Sequence, residues 1–379
     1  MSVYLDFNAT TPIDPEVLDV MVEVYKNHFG NAGSRTHVFG HKANELVTQA
    51  RQSVAELLKV DTSEVIFTSG ATESNNLALL GLASWGEEHG RKHIIASQIE
   101  HKSVLEPLEH LQKKGFDIEL AGVDASGRLC ANKVLDLVRP DTLLVSVMHA
   151  NNETGIIQPV EEIGQALEGS DIYFHVDAAQ TFGKMVDELQ ALNYDLLSIS
   201  GHKIFGPQGI GALVMKTKNY KRPPIEPITY GGGQERGLRP GTLPVALIAG
   251  LGKASEISAR EHRNWHQDNL SVKNSILEQL SGIKYFINGA QDYCMPHVLN
   301  ISFPGVDSEA LMIAVKETYA LSNGSACTSQ DYKPSHVLSA MGRTAGDLIN
   351  SNVRLSWGKT KQVSMYSLVN AILALSAEY

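Results

Sequence analysis

The chain has 379 residues, 43% of them apolar and 20% charged, which is typical of a globular protein of about two domains. A formal charge of −10 argues against a general surface for nucleic acid or for an anionic membrane, so neither partner is expected. Three scattered cysteines, no signal-peptide pattern at the start and no apolar run of membrane-spanning length predict a cytoplasmic protein.

Helical and strand-like patterns alternate from about residue 15 to about residue 255. Helical stretches are 15–28, 42–58 and 73–88, and strand-like runs are 65–68, 93–97, 142–148, 172–176, 196–200 and 211–215. This alternation predicts an α/β fold, with a mostly parallel sheet between two layers of helices. Such sheets bind ligands outside the carboxyl ends of their strands.

The pattern changes after residue 255. A long polar helix at 259–279 precedes strand-like runs at 285–287 and 297–303, and helices are predicted near 308–316 and 363–376. We therefore predict a large domain of residues 15–255. A smaller α+β domain would combine residues 256–379 with residues 1–14, although the first dozen residues show no pattern of their own.

Lys203 and Asp177 each stand at the end of a strand-like run. Burial disfavours a lysine cation, so a lysine kept in such a place is suited to be a neutral amine that forms a Schiff base. A surface lysine is the alternative. A carboxylate at another strand end could hold the pyridinium proton of pyridoxal phosphate while the amine holds its aldehyde. The pair therefore predicts that cofactor.

Two segments could bind an anion. Residues 67–76 form a strand that ends in a turn of small residues and opens a helix, where backbone N–H groups and the Thr72 hydroxyl could hold a phosphate. A plain helix cap by Ser69 or Thr72 is the alternative. The glycine-rich loop 231–242 carries Arg236 and Arg239, and it matches no nucleotide-binding pattern.

Three further polar residues lie near strand-like runs. His101 could stack on a cofactor ring and shuttle protons, Asn152 could donate to a ring oxygen or a carboxylate, and Arg354 could clamp a carboxylate. The alternatives are a histidine that faces solvent, an ordinary turn and a surface salt bridge.

Cys327 lies among small polar residues at 321–329, where packing gives no reason for a thiol. An accessible thiol in a loop is a candidate nucleophile. Cys130 and Cys294 are interpreted as buried or incidental.

A catalytic metal is not expected. His37 and His41 have the spacing of a helical pair, but Gly40 argues against a helix there. No glutamate occupies the base position of the corresponding zinc motif.

Together these motifs resemble those of the cysteine desulfurases, which are class-V aminotransferases with the fold type I of pyridoxal-phosphate transferases. The matching stretches run almost end to end: 4–12, 67–75, 100–101, 175–180, 200–203, the loop 231–242 and 324–328. The last stretch is similar to the group with a long cysteine loop, to which the housekeeping and nitrogenase-associated members belong.

The resemblance implies a role for each matching residue. Lys203 would bind the aldehyde of pyridoxal phosphate, and Asp177 would pair with its pyridine nitrogen. Phosphate ligands would be Ala71, Thr72, Ser200 and His202, joined by Thr242 of a neighbouring subunit, so a homodimer is implied. Gln180 would contact the ring hydroxyl, and His101 would stack on the ring and take part in acid–base steps. Asn152 and Arg354 would bind the carboxylate of the substrate.

The implied reaction converts L-cysteine to L-alanine and leaves a persulfide on Cys327. An acceptor protein would take this sulfur for iron–sulfur cluster assembly, tRNA thiolation or DNA phosphorothioation. Housekeeping members carry a longer C-terminal tail, so the acceptor stays open. Asn323 stands where members often have serine, and this difference is expected to alter the mobility of the loop more than the chemistry. Another class-V enzyme, such as a selenocysteine lyase or a transaminase, is the near alternative, and a non-enzymatic scaffold is the distant one. Transamination needs no thiol, so Cys327 favours the desulfurase.

Overall fold

The fold was analysed in a computed structural model that describes residues 2–218, 220–324, 334–343 and 347–376. Its strands are β1 (Val3–Tyr4), β2 (Val65–Thr68), β3 (His93–Ser97), β4 (Asp117–Ala121), β5 (Thr142–Met148), β6 (Tyr173–Asp177), β7 (Leu196–Ser200), β8 (Gly211–Met215), β9 (Phe286–Ile287), β10 (Val298–Ser302), β11 (Tyr319–Ala320) and β12 (Asn352–Ser356). Its helices are α1 (Pro15–Asn27), α2 (Val38–Leu58), α3 (Ala71–Gly81), α4 (Ala83–Glu88), α5 (Lys102–Lys113), α6 (Ala131–Leu135), α7 (Val160–Ala166), α8 (Val186–Ala191), α9 (Val245–Gln279), α10 (Ser308–Val315), α11 (His336–Ala340), α12 (Asp347–Asn350) and α13 (Tyr366–Ser376).

A seven-stranded sheet with the order β2-β8-β7-β6-β5-β3-β4 organises most of the chain. Its neighbouring strands are parallel except where β8 pairs with β2 and with β7. Successive residues of a strand point to opposite faces, so each strand serves two cores. In β2, Val65 and Phe67 join the core that includes α2 and α9, whereas Ile66 joins the core that includes α3 and α5. The predicted parallel sheet between helices is confirmed.

A second, smaller sheet lies in the C-terminal part of the chain. Its order is β12-β10-β9, and both of its pairings are antiparallel. Leu299, Ile301, Val353 and Leu355 are buried in a separate core with α10 and α13. This arrangement is the predicted α+β pattern.

Helix α9 runs through both cores. Its first half, including Val245 and Ile257, is buried with the large sheet, and its second half, including Val272 and Ile276, is buried with the small one. The predicted start at 259 is therefore wrong. The first half is buried almost all round and shows no amphipathic stripe by which a helix could be recognised. The division of the chain at residue 255 falls inside this helix and stays a prediction.

Helix α2 also begins earlier than expected. It starts at Val38 and includes Gly40, so the inference that Gly40 excludes a helix is wrong. His37 caps the helix, because its Nδ1 accepts a hydrogen bond of 3.1 Å from the backbone N–H of Gly40. The stretch predicted as one helix at 73–88 consists of two, α3 and α4, which meet at Leu82.

None of the helices in the described ranges is both long and apolar enough to cross a membrane.

The N-terminal segment, residues 3–14, connects the small sheet to the large one. Val3 pairs in parallel with Tyr319, and Leu5 and Phe7 are buried in the core of the small sheet. The chain then reaches the carboxyl edge of the large sheet, where the backbone N–H of Thr11 donates to the carbonyl of His202 over 3.0 Å. The segment without a sequence pattern is therefore tied to both sheets.

A buried ion pair fixes the glycine-rich loop 231–242 to the large sheet. The Glu235 carboxylate accepts hydrogen bonds of 2.8 and 2.5 Å from the two Nη atoms of Arg51, and one of 2.7 Å from the N–H of Phe67. Glu235 and Arg236 both adopt left-handed backbone angles, with φ values of 45° and 58°. The ion pair thus stabilises a turn with left-handed backbone angles that residues other than glycine rarely adopt.

We predict that Glu235→Ala lowers the free energy of unfolding by about 3–5 kcal/mol, because it leaves the guanidinium of Arg51 largely buried without its partner. Urea unfolding followed by circular dichroism measures the change. The control is Arg263→Ala, which breaks an exposed pair with Asp187 and should shift the midpoint very little. Equal shifts for the two variants would contradict the prediction.

Candidate active site

The carboxyl ends of β2, β3, β5, β6 and β7 open on one cavity of about 540 Å³. The predicted site residues on its wall are Ala71, Thr72, His101, Asn152, Asp177, Gln180, Ser200, His202, Lys203 and Arg354. Thr242 is exposed and does not line this cavity. Cys327 lies outside the described residues. The sheet therefore gathers residues from five separate stretches of sequence, as expected for a parallel α/β fold.

Lys203 occupies the turn after β7 and is enclosed except where it faces the cavity. Its Nζ donates to the backbone carbonyls of Asn8 and Ala9, the second over 2.7 Å. Desolvation, helped by the charge of Arg354, lowers the pKa of this amine to about 8, and the nearby carboxylates oppose the shift only in part. The alternative of a surface lysine is thus wrong, and a substantial fraction of the amine is neutral near pH 8.

A hydrogen-bond network orients Asp177 and His101. One carboxylate oxygen of Asp177 accepts from Asn75 Nδ2 over 2.8 Å, and the other accepts from the N–H of Ala179 over 2.9 Å. Asn75 Nδ2 also donates to Ser103 Oγ over 2.8 Å, and that hydroxyl lies 2.8 Å from Nδ1 of His101. Asn75 therefore links the carboxylate to the imidazole.

The imidazole of His101 faces the cavity with a defined tautomer. The backbone N–H of Ser103 donates to Nδ1 over 3.1 Å, so the neutral ring carries its proton on Nε2. Desolvation lowers the pKa of His101 from its usual value, and the charge of Asp177 opposes that shift. The ring is thus neutral at pH 7 and offers an N–H at the cavity.

The turn before α3 leaves backbone donors without a side-chain cap. The helix begins at Ala71 after Gly70, and within the described chain no side chain caps it, so the alternative of a plain cap by a hydroxyl residue is wrong. The Glu73 side chain accepts from the N–H of Ser69 over 2.5 Å and pairs with Arg239 at 3.1 Å. Free N–H groups at a helix start are suited to an anion, and loop 231–242 braces them.

Ser200 and His202 line the cavity beside Lys203. Desolvation, with the nearby charges of Lys203 and Lys184, lowers the pKa of His202 to about 4, so this ring is neutral at pH 7. Its Nδ1 lies 3.1 Å from the hydroxyl of Thr10. The side of the cavity near α3 thus offers neutral hydrogen-bonding groups.

Arg354 in β12 is buried, so the alternative of a surface salt bridge is wrong. Its Nη1 donates to the carbonyl of Asn152 over 2.9 Å, and its Nη2 pairs with Asp6 at 2.5 Å. Its Nε is buried and has no partner among the described residues. The side chain of Arg354 thus lines the cavity and contains a buried donor without a described partner.

The groups on this wall fit pyridoxal phosphate. Gln180 Oε1 is buried and finds no partner in the described part of the chain, and the ring hydroxyl of the cofactor could donate to it. Asp177 offers a carboxylate for a protonated ring nitrogen, and Lys203 offers an amine for the aldehyde. The uncapped turn at Ala71 offers backbone N–H donors for the phosphate. Each polar end of the cofactor thus has a chemical counterpart.

Sequence reasoning assigned no role to Asn75, Ser103, Asn8 or Ala9. Asn75 lies inside the motif at 67–76, but only its contacts with Asp177 and Ser103 show what it does. The carbonyls of Asn8 and Ala9 carry no side-chain signal, so their contact with the amine could not be read from residue types.

The two other cysteines do not contribute to the cavity. Cys130 is exposed, so of the two interpretations of this thiol the incidental one stands, and Cys294 is partly buried. Desolvation raises the pKa of the Cys294 thiol, which disfavours the reactive thiolate.

Comparisons with known proteins agree with this chemistry. A family model described as aminotransferase class-V matches residues 3–364. The cysteine desulfurase IscS of Vibrio vulnificus strain YJ016 is 43% identical over 362 residues, which are 95% of this chain and 88% of that relative. The crystal structure of DndA from Streptomyces lividans superposes with a TM-score of 0.82 at 48% identity, covering 94% of this chain and 99% of that one. A structure of SspA in complex with cysteine superposes with a TM-score of 0.80 at 36% identity, over 94% of this chain and 99% of that one. This chain therefore belongs to the class-V aminotransferase family and, within it, to the cysteine desulfurases.

Proposed function

We propose that this protein is a pyridoxal-phosphate-dependent L-cysteine desulfurase that releases L-alanine and retains the sulfur as a persulfide on Cys327. The observation that carries the proposal is the cavity in which Lys203, Asp177, the uncapped start of α3 and Arg354 meet. Class-V aminotransferases and cysteine desulfurases are pyridoxal-phosphate enzymes.

Pyridoxal phosphate, when bound, supplies an electron sink for the substrate carbon. Lys203 would hold its aldehyde and Asp177 the proton of its ring nitrogen, while Gln180 would accept from its hydroxyl. Ala71, Thr72, Ser200 and His202 would hold the phosphate. Thr242 is exposed outside this cavity, and we propose that it reaches the phosphate of a second copy in a homodimer.

Substrate binding would use two other residues of the cavity wall. The guanidinium of Arg354 and the side chain of Asn152 would receive the carboxylate of L-cysteine. The lowered pKa of Lys203 makes its amine a suitable base for the α-proton near pH 8. His101 would face the cofactor ring and donate or accept protons through Nε2.

Cys327 would perform the sulfur transfer. Its thiolate attacks the substrate sulfur, so a sulfur–sulfur bond forms while the carbon–sulfur bond breaks, and the carbon fragment keeps the electron pair. Protonation of that fragment gives L-alanine, and the enzyme holds Cys327–S–SH. An acceptor protein of iron–sulfur cluster assembly, tRNA thiolation or DNA phosphorothioation would then remove the outer sulfur. If the protein were a transaminase, Cys327 would have no role, because transamination needs no thiol.

Lys203→Ala should abolish the covalent adduct that borohydride traps between protein and pyridoxal phosphate, because Lys203 is the one lysine among the described residues that line this cavity. Peptide mass spectrometry after reduction detects the adduct. The control is Lys184→Ala, since Lys184 is another lysine with a lowered pKa but does not line this cavity. An adduct that survives in the Lys203 variant would assign the cofactor to a different lysine.

The rate at which cofactor-free protein captures pyridoxal phosphate should rise with pH and level off above about 8. The folded protein lowers the pKa of Lys203 to about 8, so the reactive neutral amine increases up to that pH and then saturates. Stopped-flow absorbance between about pH 6 and pH 10 measures the profile. A rate that keeps rising tenfold per unit to about pH 10, as for an ordinary lysine, contradicts the role of desolvation.

Cys327→Ser should keep the cofactor absorbance and its change on adding L-cysteine, but lower sulfide release by roughly 10³-fold or more, as loss of a covalent nucleophile does. Sulfide assays with a reductant give the rate. Cys130→Ser is the matched control, because that thiol is exposed and outside the cavity, and it should retain activity. Full turnover in the Cys327 variant would rule out the persulfide route.

A further inference from the structure

A second cavity, the seam cavity, lies between the two sheets, and no described residue lines both it and the active-site cavity. Lys184 reaches it from the loop between β6 and α8, Asn269 from α9, and His297 and Trp357 from positions next to β10 and β12. Its volume is about 30 Å³, roughly twice what one water molecule needs, so an ion of halide size fits.

Lys184 brings a positive charge to the seam cavity without a countercharge. Its Nζ lies 3.3 Å from Nε2 of His297, its single hydrogen-bond partner among the described residues. Desolvation, with the nearby charges of Lys184 and Lys273, holds the pKa of His297 well below its usual value, so this imidazole is neutral at pH 7. Lys273 is itself buried, and the carbonyl of Met295, 3.5 Å from its Nζ, adds no negative charge. A protonated Lys184 has three N–H donors, so two of them remain for another partner.

The carboxylates beside the seam cavity already have cationic partners. Asp187 accepts two hydrogen bonds of 3.0 Å from Arg263. Asp14 pairs with Lys359, which lines the cavity. No aspartate or glutamate in the described part of the chain lines the cavity or forms an ion pair with Lys184. A buried cation without a countercharge is costly, so this region favours an anion.

The rest of the wall also suits an anion. Asn269 is only 8% exposed, and its Oδ1 has no hydrogen-bond partner within the described ranges. A half-turn of its amide exchanges this oxygen for N–H donors. Trp265 and Trp357 add aromatic rings to the lining, and the edge of an aromatic ring carries partial positive charge. The polar groups that complement an anion are therefore present beside Lys184.

We propose that the seam cavity binds one small monovalent anion of halide size, held by the ammonium group of Lys184 and the amide of Asn269. Chloride and hydrosulfide share this charge and approximate size. Because Lys184 follows β6 and His297 precedes β10, the bound ion would stabilise the contact between the two sheets. It would take no part in the proposed desulfurase reaction, since the two cavities share no described residue.

Protonation of Lys184 should control the affinity for the anion. Desolvation, helped by the charge of Lys203, lowers the pKa of Lys184 to about 7, so the ammonium form declines above that pH. The other titratable groups around the site are His202, His262, His266, His297, Lys203, Lys273, Lys359 and Asp187. The histidines among them can gain charge only as the pH falls, which favours an anion in the same direction. The affinity should therefore fall as the pH rises.

Bromide is a suitable probe, because it scatters X-rays anomalously and quenches tryptophan fluorescence. Crystals of the holoenzyme soaked in bromide should show an anomalous peak in contact with Lys184 Nζ. In solution the quenching should saturate, since Trp265 and Trp357, two of the three tryptophans in the chain, line the seam cavity. With gluconate keeping the ionic strength constant, the dissociation constant should be about 25-fold higher at about pH 8.5 than at about pH 6.5, as a required ammonium with a pKa of about 7 dictates.

Lys184→Met removes the charge at similar side-chain length and should abolish both the anomalous peak and the saturable quenching. Lys42→Met is the matched control, because Lys42 is exposed and pairs with Glu45 on the surface, and it should keep both. Chloride and hydrosulfide, each added in competition with bromide, identify the preferred occupant by the lower concentration that displaces it.

Bromide peaks elsewhere in the crystal without one at Lys184 overturn the inference. Quenching that rises linearly with bromide, or saturable quenching that persists unchanged in Lys184→Met, overturns it as well. If Lys184→Met does not fold, the peak in the original enzyme and the pH dependence of its dissociation constant still decide. None of these measurements requires desulfurase activity, so failure of the anion site and failure of the proposed function remain distinguishable.

Discussion

The chemistry of the cavity depends on burying the amine of Lys203 in a place where, among the described residues, its hydrogen-bond partners are backbone carbonyls. A lysine enclosed beside a carboxylate would keep its proton, whereas Asn8 and Ala9 accept its hydrogen bonds without adding a charge. Asp177 stands on the next strand, but its carboxylate is occupied by donors from Asn75 and Ala179. The protein thus keeps an anion and a reactive amine in one cavity without pairing them directly.

This arrangement requires the N-terminal segment to cross from one sheet to the other. Leu5 and Phe7 bury its first part in the core of the small sheet, and Gln180 and Lys203 hold the carbonyl of Asn8 at the large one. Arg354 of the small sheet reaches the same place and pairs with Asp6. The two sheets therefore meet through polar contacts at the cavity, while α9 joins their apolar cores.

Features that depend on a local residue pattern were predictable from the sequence, whereas features that depend on contacts between distant residues were not. The strands of the large sheet are short apolar runs followed by polar residues, so their ends, and with them Lys203 and Asp177, were predictable. The start of α9 was not, because a helix buried on every side has no stripe. Gly40 was misjudged because its helix is stabilised by a capping histidine, and the contacts of the Lys203 amine with Asn8 and Ala9 link residues far apart in sequence. Recognising the motifs of cysteine desulfurases supplied the roles that residue types alone left open.

The pairing of Val3 with Tyr319 has a consequence for synthesis of the protein. Strand β1 leaves the ribosome well before its partner β11, because the roughly 300 residues between them take roughly 15–60 s to add at typical elongation rates. Until then the N-terminal segment can be held only through its contacts with the large sheet, which can already be complete. A nascent chain should therefore acquire its parallel sheet early and its ability to retain the cofactor late. This order delays reactive amine chemistry until β11 has been made.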